Sequence, residues 1–198
     1  MDRKPKKGFL YWFENVFKYH YGKLSIIVLL ILVVVIFNMI DMFRPKTEYD
    51  FSMVIAVAGS IAPSSTDELK KIAETAAGDI NGDGEINIDI QIIDMSTPGE
   101  NSPYHLMLLM SQPEYVVFIM DDHTSKVNAK DFNMLSDYGI EGDEEYGQRV
   151  YIGDSPIMNR INPGIEFYAC LADWTTDGKG KPEWTQAGVS VIKELIGS

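Results

Sequence analysis

The chain lacks several features that would place it in a familiar class of protein. It has one cysteine among 198 residues, so it is not an extracellular domain held together by disulfides. That residue, Cys170, lies in the apolar stretch IEFYACLADW, which favours a buried structural thiol over a nucleophile. Basic residues are scarce, with 17 Lys and Arg against 29 Asp and Glu. No basic stripe exists to neutralise phosphates, and this argues against a nucleic-acid partner.

Spacings that carry established chemistry are also missing. The segment GSIAPSS at 59–65 has neither the Gly-x-x-x-x-Gly-Lys spacing of a phosphate loop nor the Gly-x-Ser-x-Gly spacing of a nucleophile elbow. No internal repeat is evident. The sequence therefore points to no particular reaction.

Charge is absent from one long apolar run. Leu24–Ile40 holds no ionisable side chain, and extending the run to Phe43 adds only Asp41. About 20 residues make roughly 30 Å of helix, enough to span a bilayer core. We therefore predict a transmembrane helix over 24–43. A cleaved signal peptide is disfavoured because NMIDMFRPK has no small-x-small cleavage pattern, and a buried soluble helix because the run has no polar stripe.

The two flanks of this run differ in charge. Residues 1–23 carry six basic and two acidic side chains, a net of +4, whereas residues 44–198 carry 11 basic and 26 acidic ones, a net of −15. Basic flanks are retained in the cytoplasm. We predict a basic, aromatic cytoplasmic juxtamembrane segment over 1–23, a signal-anchor span, a linker over 44–50 and an extracytoplasmic domain over 51–198 of an integral, single-pass cell-membrane protein.

The outer part alternates between strand and helix patterns. FSMVIAVA at 51–58 and YVVFIMD at 115–121 are typical of buried strands, the second of a central one. Between them we expect a helix capped at 65–67 and stopped by Gly78, and another over 101–111. A further strand is indicated where Ile86, Ile88, Ile90 and Ile92 alternate with polar residues in EINIDIQIIDM.

The remaining segments complete the expected fold. DFNMLSDYGI suggests a short helix, RVYIG and IEFYACLADW suggest strands, and residues 184–196 form a closing helix. Strands that alternate with helices are typical of parallel, right-handed α/β units. The fold class predicted is α/β, a single transmembrane helix followed by a three-layer domain with a mostly parallel sheet.

One acidic loop could bind a metal. Asp79, Asn81, Asp83 and Glu85 match the first half of an EF-hand-type loop, in which three side chains and one backbone carbonyl, that of Glu85, would bind calcium. The twelfth position is Ile90 rather than a bidentate acid. The alternative is a helix-to-strand turn built from Asn-Gly and Asp-Gly. Calcium is thus the one cofactor that the sequence suggests.

This DxNxDG stretch resembles the loops of dockerins and the calcium sites of some periplasmic sugar-binding proteins. The resemblance implies that a distant carboxylate completes the site. The order of elements over 51–122 is similar to the first lobe of extracytoplasmic solute-binding proteins and to uncharacterised membrane-anchored proteins of Gram-positive bacteria. It implies a solute-binding-like domain, and we transfer no ligand residues from it.

A second polar cluster ends the predicted third strand. Asp121, Asp122 and His123 lie where open α/β sheets gather ligands, so they are candidates for a metal or acid/base site. The alternative is a polar strand end turning into a loop.

Three functions follow from these features. The first is a membrane-tethered binding or interaction module, with a small solute or a membrane protein such as a transporter as partner. The second is an accessory structural subunit of a membrane complex. The third is a hydrolase or other enzyme that uses Asp121, Asp122 and His123.

Overall fold

The structure is a computed structural model, and it describes residues 8–13, 18–43, 49–61, 63–96, 101–175 and 178–197. Contacts divide the chain into two compact units, Met1–Lys46 and Thr47–Ser198. The predicted linker over 44–50 and the juxtamembrane segment over 1–23 lie partly outside the described residues.

The first unit contains helices α1, Phe9–Trp12, and α2, Lys18–Phe43. Every side chain from Ile26 to Ile36 is at least 40% exposed. Across the described residues, no helix has both the length and the apolar character needed to cross a membrane. The span over 24–43 stays a prediction.

The second unit is built on a five-stranded mixed sheet in the order β2-β1-β3-β5-β4. Strand β1 pairs in parallel with β2 and β3, whereas β5 is antiparallel to both β3 and β4. The predicted α/β class with a mostly parallel sheet is confirmed, and so is the central place of β3. The strands are β1 Phe51–Val57, β2 Ile88–Asp94, β3 Tyr115–Asp121, β4 Arg149–Tyr151 and β5 Phe167–Leu171.

Five α-helices connect the strands or close the chain. The predicted helix stop at Gly78 is confirmed, since its φ is +73° and its amide donates to the Glu74 carbonyl. Short 3-10 turns occupy Ala129–Asp131 and Leu135–Tyr138 in place of the predicted short helix. The α-helices are α3 Pro63–Ala77, α4 Ser102–Met110, α5 Asp122–Asn128, α6 Pro156–Ile161 and α7 Pro182–Gly197.

Both faces of the sheet are covered by helices because β1 is apolar on both sides. Met53 and Ile55 belong to a core cluster that contains Leu69 of α3 together with residues of α7. Val54 belongs to a second cluster that contains Leu106 of α4. Each fully buried aliphatic side chain of this kind stabilises the fold by about 1.5–3 kcal/mol.

The predicted alternation along β2 was partly wrong. Ile88 is buried, but Ile92 is 43% exposed and Ile86 lies before the strand begins. Ile93, which the pattern placed on the outer face, is buried against the α4 side of the sheet. Strand β2 is an edge strand with one neighbour, so helices cover its side chains at some positions and leave others exposed.

The turn expected after Asp121 is instead a helix. Asp121 is extended and its carboxylate accepts from the Thr124 amide at 2.7 Å, which makes it the N-cap of α5. Asp121 is therefore both the last residue of β3 and the cap of α5, and Asp122 and His123 lie in the first turn of that helix.

Candidate functional site

The connections of the parallel strands leave an opening at the carboxyl ends of β1 and β3. The chain leaves the carboxyl end of β1 through α3 toward β2, and it leaves the carboxyl end of β3 through α5 toward β4, which lies at the opposite side of the sheet from β2. Ligands of open α/β sheets bind where neighbouring connections diverge in this way. The topology therefore marks this edge as the place to look for a binding site.

A cleft of about 550 Å³ lies at this edge. Its size is in the range of small-molecule sites. The segments that follow β1 and β2, the start of α4, the start of α5 and the turn before β5 all contribute to it. The lining includes Ala58, Met95, Pro103, Asp121, His123 and Glu166.

Asp121 joins two of these segments. One carboxylate oxygen accepts from the Ala58 amide at 2.8 Å, and the other accepts from the Thr124 amide. The side chain therefore fixes the end of β1 to the end of β3 and begins α5. Its first role is to hold the floor of the cleft.

Asp122 is held by two cations. Its carboxylate lies 2.9 Å from Lys126 Nζ and 2.9 Å from a terminal nitrogen of Arg149. Hydrogen bonds from these two side chains lower the pKa of Asp122 below its ordinary value. Asp122 is therefore an ionised partner in a salt-bridge network.

The centre of that network is Arg149, which is 2% exposed. Its guanidinium also bonds Asp143 at 2.9 Å and Ser125 Oγ at 2.9 Å, and its central carbon lies 3.9 Å from the centre of the Tyr168 ring. Burial lowers the pKa of Arg149, but the hydrogen bond that it donates to Asp122 and the charge of Asp143 outweigh burial and raise it. Sequence reasoning missed this residue because Asp122 is 27 residues away in the chain.

These contacts bear on the enzyme hypothesis. Asp121 and Asp122 already hold backbone amides and cations, and His123 is exposed on the cleft wall. The cluster lies beside the cleft, and its two carboxylates hold backbone amides and cations rather than a common acid/base partner. The hydrolase hypothesis stays a prediction that no contact here favours.

The acidic loop lies at the amino ends of the parallel strands, just before β2, whereas the cleft lies at their carboxyl ends. Asp79 accepts from the Gly82 amide at 2.7 Å and from the Gly84 amide at 2.9 Å. Asn81 Oδ1 accepts from the Asp83 amide, and Asp83 accepts from the Glu85 amide, both at 2.8 Å. The loop is thus a set of side-chain-to-backbone turns.

Two of the proposed calcium ligands are in direct contact within the loop, since Asn81 Nδ2 donates to Asp83 Oδ2 at 3.1 Å. Within the described ranges, no three acidic, histidine or cysteine side chains come together as metal ligands. Calcium at Asp79, Asn81, Asp83 and Glu85 stays a prediction.

The residue that sequence reasoning missed at this loop is Asp50. It is fully buried, and its carboxylate accepts from the amides of Ile80, Asn81 and Asn87 at 2.8–2.9 Å. Burial raises the pKa of Asp50, but these three amides outweigh it and lower the pKa below its ordinary value. A distant carboxylate does reach the loop, where it binds backbone donors.

Cys170 is buried as predicted, and burial raises the pKa of its thiol.

Comparisons with protein-family models, with curated proteins and with solved structures find no match. The resemblance to solute-binding proteins and to dockerin loops stays a prediction.

Proposed function

We propose that the chain is a membrane-tethered binding module whose α/β unit takes a small ligand in the cleft at the carboxyl ends of β1 and β3. The observation that carries the proposal is the position of this cleft, where five segments meet at the divergence of α3, which leaves β1, and α5, which leaves β3. Asp121 fixes two of these segments, so the cleft has a preformed floor.

A variant that fills the cleft tests this proposal. Gly164 lines the cleft, and a Cβ added there meets only Asn162 Oδ1 at 3.5 Å, an ordinary contact distance. Gly164→Trp should therefore block ligands without disturbing the core. Gly197→Trp is the matched control, because a Cβ added at Gly197 meets nothing within 4 Å.

The measurement is a saturation-transfer NMR screen of the full chain against a small-molecule fragment library. We expect hits that Gly164→Trp abolishes and Gly197→Trp leaves unchanged. Hits that are unaffected by Gly164→Trp would place binding outside the cleft and contradict the proposal.

The membrane part of the proposal is supported by the uncharged run Leu24–Ile40, by the opposite charges of its flanks and by the exposed apolar side chains of α2. In the part of the chain that the structure describes, no helix has the length and apolar character needed to span a membrane, so this part of the proposal is tested separately. The proposal predicts a cytoplasmic N-terminus and an extracytoplasmic α/β unit.

Cysteine labelling in intact cells tests this topology. Cys170 is fully buried, so introduced cysteines should report without background. Exposed Ser136→Cys should react with a membrane-impermeant maleimide, whereas Lys4→Cys should react only after the cells are opened. Labelling of Lys4→Cys in intact cells, or protection of Ser136→Cys, would contradict the topology.

An accessory subunit is the second candidate, favoured by one surface. The outer face of α4 exposes Tyr104, Met107 and Leu108, by 62%, 60% and 45%. These residues are three and four apart, so they form one apolar stripe on the helix. Substituting all three by Ser should release a bound protein partner if the chain is a subunit of a complex.

A further inference from the structure

A second cavity, of about 490 Å³, lies away from the cleft. It is formed by the 3-10 turn Leu135–Tyr138, the segment that follows β5 and the first turns of α7. Six of its eight lining residues are polar. They are Tyr138, Asp173, Thr175, Thr185, Gln186 and Ser190.

Asp173 fixes the direction of two hydroxyl groups in this cavity. Tyr138 donates to its carboxylate at 2.6 Å and Thr185 Oγ1 at 3.1 Å, and the Thr175 amide donates to it at 2.8 Å. Burial raises the pKa of Asp173, but these donors outweigh it and lower the pKa. The ionised carboxylate has no hydrogen to give, so each hydroxyl must supply its own.

The hydroxyl hydrogen of Ser190 is also directed at a protein acceptor. Its Oγ donates to the backbone carbonyl of Gln186 at 3.0 Å, and a carbonyl can only accept. Three of the four hydroxyl groups that line the cavity have therefore used their hydrogens on protein acceptors. What these three can offer to a ligand is lone pairs.

The charges of the lining residues also favour a ligand that donates hydrogen bonds. Asp173 contributes a negative charge, and neither lysine nor arginine is among the eight described residues that line the cavity. An anion would be repelled, and a neutral hydroxyl has only one hydrogen to donate to the several acceptors of the wall. A group with several N–H donors and a positive charge satisfies both conditions.

We infer that this cavity, the amine pocket, binds the ammonium group of a small organic amine. A bare metal ion is the poorer match, because the described residues bring no three metal-ligating side chains together. The apolar part of the ligand would lie against Pro182 and Val189, the two remaining lining residues. The amine pocket is separate from the cleft, so either site can fail without the other.

Three probes that differ only in the head group test this inference. The full chain, held in phosphatidylcholine nanodiscs at pH 7, is titrated with propylammonium chloride, 1-propanol or sodium propanoate. TROSY NMR follows the amides of Thr175 and Thr185. We expect saturable shifts with propylammonium, at least about tenfold weaker binding of propanol, and no binding of propanoate.

Two variants and a control assign the binding to the amine pocket. The first variant is Ser190→Ala, at an exposed position, and the second is Thr185→Val, which is nearly isosteric. Each removes one acceptor and should weaken propylammonium binding several-fold. Ser136→Ala, an exposed serine outside the lining, should leave it unchanged. Equal binding of propanol and propylammonium, binding of propanoate, insensitivity to both variants, or no shift with any probe would each overturn the inference.

Discussion

The molecule has two acidic regions, the loop at the amino ends of the parallel strands and the cleft at their carboxyl ends. The carboxylates of the two regions have different partners. At the loop before β2, Asp50 and Asp79 accept from neutral backbone amides alone. At the cleft, Asp122 is balanced by Lys126 and by buried Arg149. A run of acids in the sequence therefore indicates neither a metal nor a catalytic site until the donors around each carboxylate are known.

The largest expected effect is at the loop. Asp50→Ala leaves three partly buried amides without their acceptor, and we expect a loss of about 4 kcal/mol in the free energy of unfolding. Urea unfolding followed by tryptophan fluorescence measures it. Asp137→Ala, at an exposed position, is the control and should change little. Equal stability of the two variants would show that Asp50 does not hold the loop.

The next effect is at the cleft. Arg149→Met removes the centre of the network and leaves Asp122 and Asp143 without their cation, which should cost about 3 kcal/mol in the same assay. Arg160→Met is the matched control, because Arg160 pairs with Glu68 at an exposed site where both side chains are at least half exposed. A comparable loss in both variants would contradict a special role for burial.

A smaller effect concerns pH. The pKa values of Asp50, Asp122 and Asp143 lie below the ordinary value of 3.8 in the folded chain. Their stabilisation is therefore complete above about pH 4 to 5 and is lost as the pH falls through the lower, folded values. Melting temperatures measured across this window should fall with acid, and less steeply in Asp50→Asn. A flat profile would contradict the assigned shifts.

The difference between the two regions also predicts their response to salt. Lys126 and Asp122 are each about one-third exposed, so added salt should weaken their attraction. The amide-to-carboxylate bonds of Asp50 are buried and should be insensitive. The loss caused by Asp50→Ala should thus be the same in low and high salt, whereas the coupling between Asp122 and Lys126 in a double-mutant cycle should shrink.

The smallest expected effect is that of calcium. Because the oxygens of Asp79, Asn81 and Asp83 already accept from the loop itself, we expect the same melting temperature in calcium and in chelator. A shift that Asp79→Ala and Asp83→Ala abolish would instead establish the calcium site that the loop sequence suggests.

Much of the fold could be predicted because its signals are local. The apolar run of β3 and the Gly78 stop of α3 each depend on neighbouring residues in the chain, and both are found. The reversed direction of β5 could not be predicted, because its apolar pattern fits either direction. Helix α5 was missed because Asp121 ends β3 and also caps α5 by accepting from the Thr124 amide, a contact that the sequence pattern does not show.

The sites were harder to predict than the fold. Asp50 meets the loop from 30 residues earlier in the chain, and Arg149 meets Asp122 from 27 residues later. No spacing rule links such pairs, since the sheet alone brings them together. Two residues of the predicted cluster, Asp121 and His123, both line the cleft.

The most direct test of the account is a chemical-shift map of the fragment hits over both acidic regions of the full chain. Ligand binding in the cleft predicts shifts at His123, Thr124 and Ile165, with the loop amides of Gly82 and Gly84 unmoved. Hits that move the loop amides and leave the cleft residues in place would contradict it.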